Sequence, residues 1–214
     1  MRLEHEAILG WIEEGAAVLD LGCGNGDLLA ALVKEKRVRA QGVEIDEKAI
    51  YECVAKGLNV VHQDIETGLS EYLDKSFDYT ILAGTLQQVK KPDPVLQDAL
   101  RVGRKTIVSF PNFAHYSARL QILLGGKVPV TPSLPFEWYD TPNLHFLSVS
   151  NFFEYCEKRS IAIERSAFLG RGRVRLLPNL RAETSVFLIS RQRGERREGG
   201  PRESGPARRA HQVH

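Results

Sequence analysis

The chain has no uninterrupted run of about 18 apolar residues, the length a helix needs to cross a hydrocarbon core, which excludes a transmembrane helix. Its first residues, Met1-Arg2-Leu3-Glu4-His5-Glu6, lack the basic start and apolar stretch of a secretory signal. Cysteine is scarce: Cys23, Cys53 and Cys156 are odd in number, far apart and form no CxxC pair. That argues against a disulfide framework and against a structural zinc site. The histidines are scattered, so no metal site is indicated, and a reducing cytoplasm is the expected compartment. No internal repeat is present. A basic face is missing too. The net charge is +2, but residues 191–214 hold seven Arg and three Glu, hence +4, leaving −2 for the residues before them. The folded part therefore has no electrostatic case for binding nucleic acid. The Arg-rich tail, 191–214, has almost nothing apolar to bury and is expected to be disordered. Residues 1–190 are then one domain, a size that buries a single sizeable core.

What is present, up to about residue 125, is an alternation of strands and helices. Residues 3–13 read as a helix, 16–21 as a strand, 27–36 as a helix and 39–45 as a strand. Asp46 caps a helix that Gly57 stops. Strands follow at 58–62, 77–83 and 105–110, with a helix at 92–102 that opens on prolines. Strands spaced by such helices imply parallel neighbours joined by right-handed crossovers. The strands are nearly continuous apolar runs, as expected of a parallel sheet covered on both faces. Residues 127–147 hold four prolines and no periodic pattern. A helix over 150–159 and strands at 161–168 and 185–191 complete the chain, the last two as an antiparallel pair. The predicted fold is α/β: a doubly wound, mostly parallel seven-stranded, Rossmann-like sheet with helices on both faces, ending in an antiparallel strand pair.

The chemistry begins at Val18-Leu-Asp-Leu-Gly-Cys-Gly-Asn-Gly26, a strand that runs into three glycines and then a helix. The spacing is GxGxG, at Gly22, Gly24 and Gly26. A dinucleotide fingerprint is GxGxxG/A, and a small residue would be expected at 27. Position 27 is Asp, whose carboxylate would oppose a pyrophosphate. Asp20, just before the turn, suits a cationic ligand group such as an ammonium or a sulfonium. Glu44, twenty residues after Gly24, is placed to take both hydroxyls of a ribose. Asp64, past the third strand, is placed to accept from an adenine amine, with Ile65 beside it. Taken singly, Asp20 also fits a helix cap and Glu44 a solvated strand end. Together the features describe a phosphate-free nucleoside with a positively charged end, which fits S-adenosylmethionine and not NAD. The candidate cofactor-binding set is Asp20, Gly22, Gly24, Gly26, Glu44, Asp64 and Ile65.

These residues, with Gln63-Asp64 and Phe77-Asp78-Tyr79, resemble the class I S-adenosylmethionine-dependent methyltransferases over residues 15–110. The resemblance narrows at Gly42-Val-Glu-Ile-Asp46, Thr85-Leu-Gln-Gln88, Arg101-Val-Gly103, Val108-Ser-Phe-Pro-Asn-Phe113 and Trp138-Tyr-Asp-Thr-Pro-Asn-Leu-His145. Together these resemble the methionine-biosynthesis protein MetW family of bacteria, over roughly residues 3–190. The resemblance implies S-adenosyl-L-methionine as cofactor and homoserine O-acyltransferase, MetX, as partner, with no nucleic acid or membrane. It settles no methyl acceptor. One departure stands out: the family usually carries Ser-Gln before Thr85, where this chain has Ala83-Gly84.

The chain cannot be the acyltransferase itself, because no serine sits in a GxSxG nucleophile elbow. Nor does it carry the Asn-Pro-Pro-aromatic motif of base-amino methylation; the place after the fourth strand reads Ala83-Gly-Thr-Leu-Gln-Gln88. If it is an active methyltransferase on a small-molecule acceptor, a general base would help where the acceptor loses a proton. The candidates are His115, Tyr139, Asp140 and His145. His115 also reads as a helix cap, and Trp138 and Tyr139 as a cover over the core. The irregular 127–147 loop is expected to be an ordered lid or a docking surface.

Overall fold

The computed structural model describes residues 2–192. Seven strands form one sheet in the order β3-β2-β1-β4-β5-β7-β6. They are β1 (Ala17–Leu21), β2 (Arg39–Glu44), β3 (Val60–His62), β4 (Phe77–Ala83), β5 (Gly103–Pro111), β6 (Ile161–Leu169) and β7 (Thr184–Arg191). The helices are α1 (Leu3–Trp11), α2 (Asp27–Lys36), α3 (Glu47–Ala55), α4 (Pro92–Val102), α5 (Tyr116–Gly125), α6 (Val149–Lys158) and the single turn α7 (Pro178–Arg181). The pairs among β1 to β5 are parallel, while β7 runs antiparallel between β5 and β6. This is the sheet expected from the sequence, antiparallel C-terminal pair included. The strand β7 ends at Arg191; the expected tail beyond residue 192 lies outside the described residues.

Both faces of the sheet are covered at its centre, which is why β1, β4, β5 and β7 are mostly buried, while β2 and the edge strand β6 carry polar and exposed residues. On one face Leu19, Leu82, Val108 and Phe187 pack under α4 and α6. On the other, Val18, Ile81, Ile107 and Leu188 pack under α1 and α2. Alternate residues of one strand thus supply opposite cores, as the pleat requires. An aromatic cluster anchors the first core: Phe187 stacks on Phe110 at 5.8 Å and lies 4.7 Å from Phe152.

Local sequence explains most boundaries. Asp46 caps α3 by accepting from Ala49 N at 2.8 Å. Gly57 follows that helix at φ +73°, where a Cβ would be strained. Pro92 opens α4, where its missing N–H costs nothing. Two elements were not legible in the sequence, the one-turn α7 and the 3-10 turn Ile65–Thr67. The strand order reverses at β1, which pairs with β2 on one side and β4 on the other. In open α/β sheets, ligands bind outside the carboxyl ends of the strands at such a reversal.

Candidate functional site

A cleft of about 700 Å³ opens at that point. The loop after β1 forms its floor. Val43 O accepts from Gly22 N at 2.8 Å and from Cys23 N at 3.2 Å, which ties the loop to β2. A Cβ on Gly22, at φ +77°, would lie 2.7 Å from Thr85 Cγ2. A Cβ on Gly26, also at φ +77°, would lie 2.5 Å from Leu58 Cδ1 and 2.7 Å from Cys53 Sγ. Both positions therefore require glycine for conformation and for space. Gly26 shapes the turn from behind and does not line the cleft.

Asp20 sits at the end of β1, 2% exposed, and lines the cleft. Its Oδ1 has no hydrogen-bond partner among the described residues. Burial first, then the carboxylates of Glu44 and Glu4, push its pKa up to about 7. Glu44 closes β2. Its Oε2 accepts from Gly24 N at 2.7 Å, and its Oε1 from Ile45 N and Asp46 N at 2.8 and 3.0 Å. A carboxylate offers about four acceptor positions, so one is left for a ligand. The Glu44 side chain thus braces the glycine loop as well as facing the cleft, a role the sequence did not announce. Asp64 Oδ1 accepts from Glu66 N at 2.8 Å and so caps the 3-10 turn, leaving Oδ2 unengaged. Ile65, 8% exposed, lines the cleft beside it.

Six of the seven expected cofactor residues thus line one cleft: Asp20, Gly22, Gly24, Glu44, Asp64 and Ile65. Asp27, Asp46 and Glu66 line it as well, against Arg2 and Lys90 as the permanent cations. Asp27 is tied to Lys56 at 2.6 Å, which with Asn25 holds its pKa below the usual carboxylate range. So acidic a cleft disfavours a phosphate and favours a cation. Gly84 lines the cleft at φ +69°. Its carbonyl accepts from the side-chain amides of Gln87 and Gln88, at 2.8 and 2.9 Å.

The four candidate bases lie elsewhere. His115 is the cap of α5: its ring bonds Ser117 Oγ at 2.7 Å and accepts from Ser117 N. It faces a separate cavity, with Tyr116 and Arg171. Tyr139 is 71% exposed, and Asp140 and His145 are exposed; none of the three lines the cleft. The physical reason is the backbone. Gln87 O accepts from Leu144 N and His145 N, pinning the loop by its main chain and leaving these side chains outside. The residues missed are Glu4 and His5, at the start of α1. His5 lines both the cleft and an adjoining cavity of about 310 Å³, and burial lowers its pKa. Glu4 lines that second cavity and accepts from the buried Ser109 hydroxyl. An amphipathic N-terminal helix gives no sign of this in sequence.

Solved structures share this fold. A SAM-dependent methyltransferase from Thermotoga maritima superposes with a TM-score of 0.62 at 19% identity, over 88% of this chain and 87% of that one. A TehB-like SAM-dependent methyltransferase from Corynebacterium glutamicum gives 0.60 at 17%, over the same shares. The fold is therefore that of the SAM-dependent methyltransferases. The family model described as methionine biosynthesis protein MetW matches residues 2–189, and the chain belongs to that family. A curated relative, the bifunctional methionine biosynthesis protein MetXA/MetW of Rhodopirellula baltica, is 34% identical over 206 residues. That match covers 90% of this chain and 33% of the relative, so the chain spans about a third of the length of the protein it matches. Among the described residues no helix is long and apolar enough to cross a membrane, and no cluster of metal-ligating side chains occurs.

Proposed function

We propose that the chain binds S-adenosyl-L-methionine in the cleft and acts in methionine biosynthesis together with a homoserine O-acyltransferase, MetX. The observation that carries the cofactor is Asp20: a buried carboxylate without a partner facing the cleft is costly unless a cation arrives. The cofactor's ammonium and sulfonium groups are such cations. Glu44 would accept from one ribose hydroxyl at its remaining acceptor position, fewer than the two expected of it, Asp64 would accept from the adenine amine through Oδ2, and Ile65 would give the base an apolar wall. When bound, the cofactor supplies a methyl group activated by its sulfonium. The partner rests on the family and on the fused relative. The test is the rate of homoserine acylation by MetX with and without the chain, at zero and saturating S-adenosylmethionine. A rate that depends on the chain supports the reading. An unchanged rate, with a chain that binds the cofactor, contradicts the partnership.

A second reading, an active methyltransferase on a small-molecule acceptor, is favoured by one observation. The 310 Å³ cavity joins the cleft through Arg2, His5, Gly84 and Gln88, and the buried Gln87 Oε1 lining it has no partner. Burial keeps His5 neutral to a lower pH than usual, which leaves its imidazole free to take an acceptor's proton. Cofactor-dependent formation of S-adenosylhomocysteine would establish this reading, and its absence with candidate amines and carboxylates would remove it.

A further inference from the structure

Helix α5 is out of place on a water-facing surface. Of its ten residues only Ala118 is buried, yet the sequence is Tyr-Ser-Ala-Arg-Leu-Gln-Ile-Leu-Leu-Gly. Leu123 and Leu124 are 78% and 80% exposed, and Tyr116, Leu120 and Ile122 about half exposed. Exposed apolar patches this dense mark interaction sites. The helix is held in place rather than loose. Gln121 exchanges two hydrogen bonds with the backbone of Val130, at 3.0 and 3.1 Å, and Arg119 bonds Ala114 O. Beside its first turn lies a cavity of about 430 Å³, walled by the segment from Gly170 to Leu176 and by Arg181. Four arginines face it, Arg171, Arg173, Arg175 and Arg181, against one carboxylate, Glu183. Among the described residues none of the four is ion-paired. Tyr116 and the arginines are residue types enriched in energetic hot spots, and the exposed leucines beside them add apolar area.

We infer that this surface, α5 with the Arg171–Arg181 segment, docks an acidic, apolar-centred face of a MetXA-type protein. The inference rests on the partnership proposed above and assigns it a place. Charge selects the occupant. The chain's own residues beyond 192 are rich in arginine and share the sign of the surface. A second copy would bring the same surface, with four arginines and the single carboxylate Glu183, and so offers the arginines no anionic match. An acidic partner meets neither objection, and in the Rhodopirellula relative the MetW part is joined to a MetXA part in one protein.

The test uses the purified full chain, the MetXA-type protein of the same organism, and two double variants. Leu123→Asp with Leu124→Asp removes the apolar centre; Arg173→Glu with Arg175→Glu reverses the margin. All four side chains are exposed and none lines the cofactor cleft. Calorimetry measures binding of the partner and, separately, of S-adenosylmethionine. The expected result is wild-type complex formation, at least about 30-fold weaker in both variants, with cofactor binding unchanged. Wild-type affinity in both variants overturns the surface and leaves the partnership standing. No complex with the wild type, while the cofactor binds, overturns the partnership and the surface with it. Self-association of the wild type that the leucine variant abolishes assigns the face to a second copy and overturns the inference.

Discussion

Replacing Asp20 by Asn tests the cleft's electrostatics without adding bulk. In the unfolded chain this carboxyl titrates near 3.8; in the fold its pKa is about 7. Between those pH values the folded state holds a proton that the unfolded state has lost. Stability therefore falls as pH rises through this window, and the loss is complete above pH 7. At about 1.4 kcal/mol per pKa unit, the ligand-free fold gives up about 4 kcal/mol to the ionised Asp20 at pH 8. Asn carries no charge and avoids that loss. Asp20→Asn is expected to match the wild type near pH 4 and to exceed it at pH 8 by up to about 4 kcal/mol. At about 2–4 °C per kcal/mol for a domain of this size, the melting temperature rises by roughly 10 °C. Thermal unfolding from pH 4 to 8, followed by circular dichroism, reads this directly. The same variant should lose S-adenosylmethionine binding, so stability and binding move in opposite directions. Parallel pH profiles for the two proteins would refute the reasoning, because Asp20 would then titrate as an ordinary solvated carboxyl.

Gly26→Ala is expected to destabilise the chain by about 1–3 kcal/mol in denaturant unfolding, because φ +77° disfavours a side chain and the new Cβ meets Leu58 and Cys53. Phe187→Ala should cost about 3–5 kcal/mol in the same assay, since this fully buried ring joins Phe110 and Phe152 across the core. His115→Ala should lose about 1 kcal/mol as a helix cap in thermal melts and leave cofactor affinity unchanged, because the ring bonds Ser117 and does not line the cleft.

The sheet and the convergence of the acidic residues on one cleft were legible because their signals are local. Continuous apolar runs announced strands buried on both faces, and the GxGxG spacing with Asp27 separated this turn from a dinucleotide fingerprint. Register then carries Asp20, Glu44 and Asp64 to one end of the sheet, where strand ends converge whatever the loops do. The second task of Glu44 was not legible, since bracing Gly24 depends on how closely β1 and β2 approach. The loop chemistry failed to follow from sequence for a related reason. Tyr139, Asp140 and His145 form a suggestive group, but main-chain bonds to Gln87 decide where they point, and nothing in the pattern encodes those bonds. Glu4 and His5 reach the second cavity only because α1 folds back over the sheet, where Glu4 meets Ser109 of β5, 105 residues away in the chain. Of helix α5 the sequence pattern indicated only the cap at His115, and the fold reveals that its leucines face outward.

The central claim is that the cleft at β1 and β4 holds S-adenosylmethionine through Asp20 and Glu44. The most direct measurement is calorimetric titration of S-adenosylmethionine into the wild type, Asp20→Asn and Glu44→Ala, each shown to be folded by circular dichroism. The account predicts one site in the wild type and at least about a tenfold loss of affinity in each variant, the cost of one charge-assisted contact. Absence of binding to the folded wild type, or equal affinity in all three proteins, would contradict it.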